Sequence, residues 1–383
     1  MTPLWEKLLA QTVEMRETGL KRLKNAASYA RQTGALSPDR VEKIAGYAAA
    51  IGNDPELLED YLKIFAVFHA GAPEEVLNEP LPSELCSGFE EKKVLLVVAM
   101  ALLPTAAERF EKAGLPVSKL CESCDEIEAW IANCERNYGV AGLEYEHGFA
   151  WLTMRLFTCQ VLRFGRLEYN KTVLFRDIMV ISNCKDGKKL VVLTENYAVN
   201  ASGLVTAPGE ETVFTTRFSK DADGTIHANV VRPDGVIESD TTTFSPDEWE
   251  IYLAPGDPVI YMHIPEVGPL NIDAVKASYP AVREFYRQYY PDYPVKAIVS
   301  HSWLFDPVLQ QLLPESSNLC QYQRTGNILP RKGPSDAVRR VFGQPAVDNG
   351  IESVEWKSSL QKSLGSYLKS GGYCRGGGII ILE

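Results

Sequence analysis

The sequence lacks the features that mark nucleic-acid-binding, membrane and secreted proteins. It has no basic surplus, since 39 Lys and Arg stand against 50 Asp and Glu, and the net charge of −11 excludes the basic surface that nucleic acids require. Its longest apolar run, VLLVVAMALL, has ten residues and predicts a buried helix, too short to span a bilayer. Its first residues lack a basic stretch followed by an apolar one, so we expect a cytoplasmic protein without membrane or nucleic-acid partners.

Metal-binding and hydrolase signatures are also incomplete. The CESC stretch at 121–124 has the spacing of half a zinc site, but no second C-x-x-C and no histidine pair accompanies it, so we expect no metal. Ser123 and Glu126 instead form an S-x-x-E pattern, which predicts a capping box at a helix start. No G-x-S-x-G motif occurs, which disfavours a serine hydrolase.

Two different periodicities divide the chain of 383 residues, a length that favours two domains. Residues 1–155 have helical spacing, including a helix from residue 3 to 17 and Ser-Pro and Asp-Pro helix starts at Ser37 and Asp54. From about residue 158 the period is 2, beginning with a strand in CQVLRFGRLEYN, and Asp-Gly turns predict antiparallel hairpins. We predict an α+β protein with a helical N-terminal domain (1–155) and a mixed β-sheet domain flanked by helices (156–383).

Strands and helices alternate after residue 245. We predict elements in this order: a helix opened by a Ser245–Glu248 capping box, a strand at 258–264, a helix at 272–288, a strand at 295–303, a helix capped by Asp306, a strand in SSNLCQYQR (316–324), helices in DAVRRVF and VEWKSSLQKSLGSYLKSGG, and a final strand in GGGIIILE. A strand–helix–strand unit implies parallel strands with a right-handed crossover. If such strands splay, their facing backbone groups lose partners, which an extended ligand with amides can supply.

The junction HIPEVGPLNID at 263–273 joins a strand end, a glycine loop and a helix start. A helix start has unpaired N–H groups and a partial positive charge, and Gly268 lets a ligand approach the backbone. This arrangement suits a pyrophosphate group. The other interpretation is a plain strand–helix connection whose Gly and Asn serve the turn.

Together, the HIPEVGPL loop, the SWLFDP and LPESSN segments with their QYQR ending, and VLRFGRLEYN resemble a bacterial family of two-domain acyltransferases. Its members join a helical N-terminal domain to a C-terminal domain with the GNAT-type N-acyltransferase fold. The resemblance covers most of the chain and is sharpest from 158 to 325. It implies that the strand at 258–264 and the helix at 272–288 hold the pyrophosphate of coenzyme A. Pantetheine would then lie between that strand and the splayed strand at 295–303.

The loop departs from the usual GNAT pattern, Gln/Arg-x-x-Gly-x-Gly/Ala, because it has one glycine and Pro269 removes a donor. A set of residues near it is expected to contact the cofactor, through backbone N–H groups or side chains. The set is Ile264, Val267, Gly268, Leu270, Asn271, Trp303, Asn318 and Arg324.

Amine acylation needs a base and donors aimed at the carbonyl oxygen. We select His263 as the base, with Glu266 as a second catalytic candidate and Ser302 as a donor to the substrate carbonyl. The alternatives are a structural histidine, a loop carboxylate and a pocket-lining serine. His301 and Ser302 face opposite sides of a strand and cannot act as a pair.

The resulting expectation is transfer of an acyl group, with acetyl-CoA as the favoured donor, to the amine of a small molecule or peptide. A second interpretation is a non-catalytic GNAT-like protein that binds acyl-CoA or regulates a partner, which the single-glycine loop favours. A hydrolase that uses Ser302, Asp306 and His263 is disfavoured, because SHSWL continues a strand without the sharp turn such a nucleophile needs. The sequence does not identify the acceptor, the acyl length or the oligomeric state.

Overall fold

The computed structural model describes residues 2–10, 15–73, 75–76 and 79–383, which form two compact units. The first unit comprises Met1–Asn170 and Ile264–Pro269, and the second comprises Lys171–His263 and Leu270–Glu383. In the described part of the chain, no helix is both long enough and apolar enough to cross a membrane.

Helices make up most of the first unit. They are α1 (Pro3–Ala10), α2 (Arg16–Thr33), α3 (Pro38–Asn53), α4 (Pro55–Ala70), α5 (Gly88–Lys112), α6 (Ser118–Ser123) and α7 (Asp125–Tyr138), followed by π-helical turns at Tyr145–Phe149 and Leu152–Leu156. Residues 11–14 of the predicted first helix lie outside the described residues. The predicted caps are confirmed: Ser37 accepts a hydrogen bond from the Arg40 N–H, and Asp54 accepts from the Glu56 and Leu57 N–H groups.

The core of the first unit is built on α5. Its apolar run, Val94–Leu103, is buried along its whole length, which confirms the predicted buried helix. Aromatic rings pack nearby, with the Phe68 ring 6.4 Å from Trp5 and 4.8 Å from Phe149. Burial of each such side chain contributes about 1.5–3 kcal/mol.

The capping box predicted at Ser123 and Glu126 is wrong. Ser123 is the last residue of α6, where its hydroxyl donates to the carbonyl of Lys119, and α7 begins after Cys124 without a side-chain cap. Glu126 is only 4% exposed and accepts a hydrogen bond from the Trp151 indole at 3.0 Å. The S-x-x-E pattern therefore marks a buried carboxylate.

Two more buried ionisable side chains, Arg163 and Glu168, lie 3.4 Å apart in the same unit. Burial raises the pKa of Glu168 well above its usual value, the neighbouring Glu126 carboxylate raises it further, and Arg163 opposes both effects. The folded state therefore keeps a proton on Glu168 at pH values where the unfolded chain has released it. This difference makes folding less favourable as the pH rises above 4.5, the usual value for Glu.

Replacing Glu168 with Gln removes this titration. We expect the melting temperature of Glu168→Gln, relative to the wild type, to increase between pH 4.5 and pH 7.5. Each kcal/mol of relieved desolvation corresponds to roughly 2–4 °C. The control is Glu250→Gln at an exposed position on the second unit. If the difference in melting temperature between Glu168→Gln and wild type stays constant with pH, the raised pKa of Glu168 is contradicted.

The segment VLRFGRLEYN, predicted as a single strand, forms a hairpin. Strands β1 (Leu162–Phe164) and β2 (Leu167–Val173) pair antiparallel, with Leu162 opposite Tyr169. Gly165 has a φ of 60° at the turn, a backbone conformation that glycine adopts without strain. The alternating pattern correctly indicated strand, but it did not reveal the two-residue reversal.

The second unit contains the remaining strands and helices. The strands are β3 (Ile178–Asn183), β4 (Lys189–Leu193), β5 (Ala198–Val199), β6 (Phe214–Thr215), β7 (Phe218–Lys220), β8 (Ile226–Val231), β9 (Ile237–Phe244), β10 (Trp249–Leu253), β11 (Pro258–His263), β12 (Ala297–Ser302), β13 (Asn327–Pro334) and β14 (Arg375–Leu382). The helices are α8 (Ile272–Tyr289), α9 (Leu309–Leu312), α10 (Asn318–Gln323), α11 (Ala337–Phe342), α12 (Gln344–Asn349) and α13 (Ser359–Lys369), with 3₁₀ turns at Trp303–Phe305 and Ile351–Ser353.

Two sheets of the second unit share one apolar core. The first has the order β11-β12-β14-β13, with β2 beside β11, and the second has the order β10-β3-β4-β8-β7, with β9 on β8. Side chains from both sheets meet in the core, among them Val180 and Val191 of the second sheet and Val259 and Val299 of the first. The predicted parallel β–α–β unit is confirmed as β11-α8-β12, and both Asp-Gly turns connect antiparallel strands.

Two element predictions in this unit are wrong. The predicted helix at Ser245 is a turn followed by β10, which pairs antiparallel with β3. The predicted strand at 316–324 is mostly α10, because the Ser317 hydroxyl accepts from the Cys320 N–H and caps a helix there. In both cases a serine near a turn was assigned the wrong local role.

Candidate functional site

The parallel strands β11 and β12 stay together for only a short distance. Their paired residues are Ile260 with Ile298 and Tyr261 with Val299. Beyond these pairs, β12 continues along β14 as far as Ser302 opposite Gly377. We call the space between β11 and β12 beyond the Tyr261–Val299 pair the wedge.

A tyrosine hydroxyl occupies the inner end of the wedge. The Tyr261 hydroxyl accepts a hydrogen bond from the N–H of His301 at 3.1 Å and donates one to the carbonyl of His301 at 3.3 Å. A side-chain hydroxyl thus forms hydrogen bonds with the β12 edge, where the backbone of a neighbouring strand would form them in a continuous sheet. Backbone pairing between the two strands ends here, and the first backbone groups beyond it already have a partner.

The two faces of the first sheet differ in chemistry at the wedge. On the face that meets the second sheet, the rings of Tyr261 and His263 lie 4.8 Å apart, and the His301 ring stacks on Phe175 at 3.8 Å. On the opposite face, the buried Tyr322 hydroxyl lies 3.5 Å from the sulfur of Met262. His263 is half-buried and therefore more accessible to a substrate than a core histidine.

The histidine on β12 has a different environment. Burial, with a smaller contribution from Arg331, lowers the pKa of His301 to about 4. A histidine with this pKa is neutral at physiological pH and is a weak base. His301 is therefore disfavoured for proton abstraction, and His263 stays the predicted base.

The helix that follows β11 begins as the sequence predicts. Asn271 caps α8, since its side-chain oxygen accepts a hydrogen bond from the Ala274 N–H at 2.9 Å. The N–H groups of Ile272 and Asp273 have no intrahelical partner, because the first turn of a helix provides none. The helix dipole favours an anion at this end, although Asp273 adds a negative charge to the first turn.

The loop between β11 and α8 belongs, from Ile264 to Pro269, to the first unit. The Arg166 guanidinium donates to the carbonyls of Pro265 at 2.8 Å, Gly268 at 3.2 Å and Pro269 at 3.2 Å. Gly268 has a φ of +65° and open space where a Cβ would lie. One side chain thus fixes the orientation of three loop carbonyls.

The other loop residues selected from the sequence differ in exposure. Val267 and Ile264 are half-buried, whereas Glu266 is exposed. Leu270, which belongs to the second unit, is half-buried. Their roles in binding or catalysis stay predictions.

Ser302 and Asp306 are engaged with the backbone. The Ser302 hydroxyl accepts from the Leu304 N–H at 3.2 Å, and Asp306 accepts from the N–H groups of Val308 at 3.1 Å and Arg375 at 2.7 Å. Burial raises the pKa of Asp306 to about 6, although both N–H donors oppose the shift. These contacts shape the turn after β12 and do not assemble a serine nucleophile with its base.

The remaining cofactor candidates lie after β12. Trp303 is half-buried and packs against an apolar cluster that includes Leu309 and Phe342. Asn318 is the exposed first residue of α10. Arg324 is exposed and forms an ion pair with Glu315 at 3.3 Å. Their predicted contacts with a cofactor stay predictions.

Two residues with clear structural roles at these positions were missed from the sequence, Tyr261 and Arg166. Tyr261 occurs in the apolar run PVIYMHIP, where it reads as an ordinary strand residue. Arg166 lies in VLRFGRLEYN, one of the segments that carried the family resemblance, but no spacing rule connects it to a loop about a hundred residues later. Long-range contacts of this kind require the fold.

Family comparisons agree with this architecture. Residues 161–380 match the GNAT-like C-terminal domain, and residues 25–159 match the N-acyltransferase N-terminal domain. The chain therefore belongs to this two-domain N-acyltransferase family, and the predicted fold class is confirmed. A comparison with curated protein sequences finds no match.

Several solved acyltransferase structures have the same fold. One, in complex with decanoyl-CoA, is 20% identical with a TM-score of 0.56 and covers 99% of this chain and 98% of its own. A mutant acyltransferase with octanoyl-CoA is 18% identical, with a TM-score of 0.57 and coverages of 94% and 88%. An acyltransferase with decanoyl-CoA and teicoplanin is also 18% identical, with a TM-score of 0.55 and coverages of 91% and 86%. At these identities the likeness concerns the fold.

The contacts of Arg166 can be tested by hydrogen exchange. In Arg166→Ala the loop carbonyls lose their common donor, so we expect the amides of Glu266, Val267, Gly268 and Leu270 to exchange about tenfold faster. Arg166→Lys should restore only part of the protection, because a single ammonium cannot reproduce the planar fork of the guanidinium. Arg176→Ala, at an exposed arginine, is the control. Unchanged exchange in Arg166→Ala would mean that the loop is held by other contacts.

The environment of His301 predicts an effect of pH on stability. Because its folded-state pKa is lowered from 6.5 to about 4, the unfolded chain gains a proton first as the pH falls. Stability from this residue is present above pH 6.5 and is lost as the pH falls towards 4, by up to about 1.4 kcal/mol per pH unit. His301→Phe keeps a ring against Phe175 without titrating, so its unfolding free energy should depend less on pH in this window. Equal pH dependence of variant and wild type would contradict this environment.

Proposed function

We propose that the protein transfers an acyl group from an acyl-CoA donor to the amine of a small molecule or peptide. The observation that carries the proposal is the parting of β11 and β12 beside the N-terminus of α8, all within the second unit. Membership of the N-acyltransferase family supports the same reaction class. The wedge accepts an extended chain, and the helix end accepts phosphate groups.

The donor is oriented by these two features. Its pyrophosphate lies against the first N–H groups of α8, near Leu270 and Asn271, and its pantetheine arm follows β11 into the wedge. A parallel pair that has parted exposes backbone donors and acceptors, which the two amides of pantetheine match. The thioester then lies near the end of β11, where His263 is located.

The acyl chain is proposed to be longer than acetyl. Related structures contain octanoyl-CoA and decanoyl-CoA, which favours a medium-chain donor over the acetyl-CoA expected from the sequence. One of those structures also contains teicoplanin, a glycopeptide, which supports a small-molecule or peptide acceptor. A series of donors from acetyl-CoA to decanoyl-CoA, assayed with an amine panel, tests both statements.

His263 is proposed as the general base. Its imidazole takes a proton from the acceptor amine, the amine nitrogen attacks the thioester carbonyl, and the carbon–sulfur bond breaks as the amide forms. The CoA thiolate leaves and takes up a proton. The low pKa of His301 makes that residue an ineffective base, because a base with a pKa near the working pH is more effective.

A second candidate function is acyl-CoA binding without turnover, which the single glycine of the loop, Gly268, favours. Calorimetric titration with CoA and decanoyl-CoA, together with turnover on the amine panel, distinguishes the two. Binding with amide formation supports the transferase. Binding alone supports a sensor, and the lack of any CoA binding contradicts both.

Substitution of the base tests the mechanism. His263→Ala should reduce turnover by about 10²–10⁴-fold while the dissociation constant for CoA stays nearly the same. His227→Ala is the matched control, because His227 lies on the second sheet and is bonded to Thr243 and Asp221. Unchanged turnover in His263→Ala would exclude it as the base.

A further inference from the structure

Tyr261 has a role at the wedge that the proposed function does not use. Its hydroxyl accepts from the His301 N–H and donates to the His301 carbonyl, so one oxygen satisfies both groups of a single residue. A secondary amide offers the same complement of one donor and one acceptor. The side chain therefore provides at the β12 edge what a neighbouring peptide, or an amide-bearing ligand, would provide.

The position of this contact explains why it exists. Tyr261 is paired with Val299, and His301 is two residues farther along β12, where backbone pairing with β11 has ended. The other edge of β12 is occupied by β14 through Ser302. Without the Tyr261 hydroxyl, the N–H and C=O of His301 would lose these partners, which costs stability unless water or a ligand pairs with them.

We propose that in the ligand-free protein the Tyr261 hydroxyl takes the place of the amide groups of acyl-CoA at the β12 edge. It leaves this edge when an acyl-CoA binds. The inference rests on the proposed function, since it takes the wedge to be the donor site. Entry of the pantetheine arm then replaces the two hydrogen bonds between Tyr261 and His301 with two between the ligand and His301, and the Tyr261 hydroxyl moves away from this edge. Tyr261 is a positioning residue that sets donor affinity and does not take part in the chemistry.

The sign of the effect of Tyr261→Phe distinguishes this role from an ordinary contact. Removing the hydroxyl should lower the melting temperature of the ligand-free protein, because His301 loses its partner. The same change should tighten CoA binding by roughly two- to tenfold, because the ligand no longer competes with a side chain for the same groups. Calorimetric titration of both proteins with CoA measures the ratio.

Tyr293→Phe is the matched control. The Tyr293 hydroxyl also bonds to backbone groups in this sheet, at Thr172 and Val259. Its removal should likewise lower the melting temperature, but it should leave CoA affinity unchanged. This comparison separates competition at the wedge from a general loosening of the sheet.

Each result decides the proposal. The proposal is supported if Tyr261→Phe binds CoA more tightly than the wild type and Tyr293→Phe does not. Equal or weaker binding by Tyr261→Phe, while the wild type binds CoA, overturns this inference and leaves the proposed function standing. The lack of CoA binding by the wild type overturns both. If Tyr261→Phe does not fold, 3-fluorotyrosine placed at position 261 of the wild-type chain replaces it: the fluorine resonance should shift on addition of CoA, and an unchanged resonance would overturn the inference.

Discussion

The candidate site depends on how briefly β11 and β12 pair. Two strands of a continuous parallel sheet would satisfy each other's backbone groups along their length, leaving nothing for a ligand. Here the pairing ends after Tyr261 and Val299, while β12 is kept straight by β14 on its other side. The opening is therefore confined to the seam between these two strands.

The strands on both sides of the seam pack on the second sheet. Val259 and Val299, directly before the seam opens, are part of the core shared with β3, β4 and β8. The antiparallel strands that precede β11 in the chain thus act as a support for the strands that part. In the first unit, Arg166 has a comparable effect on the loop from Ile264 to Pro269, because it binds three of its carbonyls.

The sequence predicted well what local rules determine. Ser37 and Asp54 cap helices, Asp-Gly pairs reverse strands, and a strand–helix–strand unit has parallel strands, because each depends on neighbouring residues. One failure had the opposite cause, since Glu126 follows Ser123 at capping distance but is buried beside Trp151. Another was a local signal assigned wrongly, because Ser317 caps the helix α10 where a strand was predicted. Tyr261 could not be identified at all, since its partner, His301, is forty residues away and the bond depends on where the sheet opens.

The last strand carries a run of three glycines behind the seam. A Cβ at Gly377 would lie 2.1 Å from the carbonyl oxygen of Phe305, and one at Gly378 would lie 2.7 Å from the His301 ring. A larger residue there would displace the Phe305 carbonyl or the His301 ring. The position of the His301 ring beside the opening thus depends on the absence of a side chain on β14 behind it.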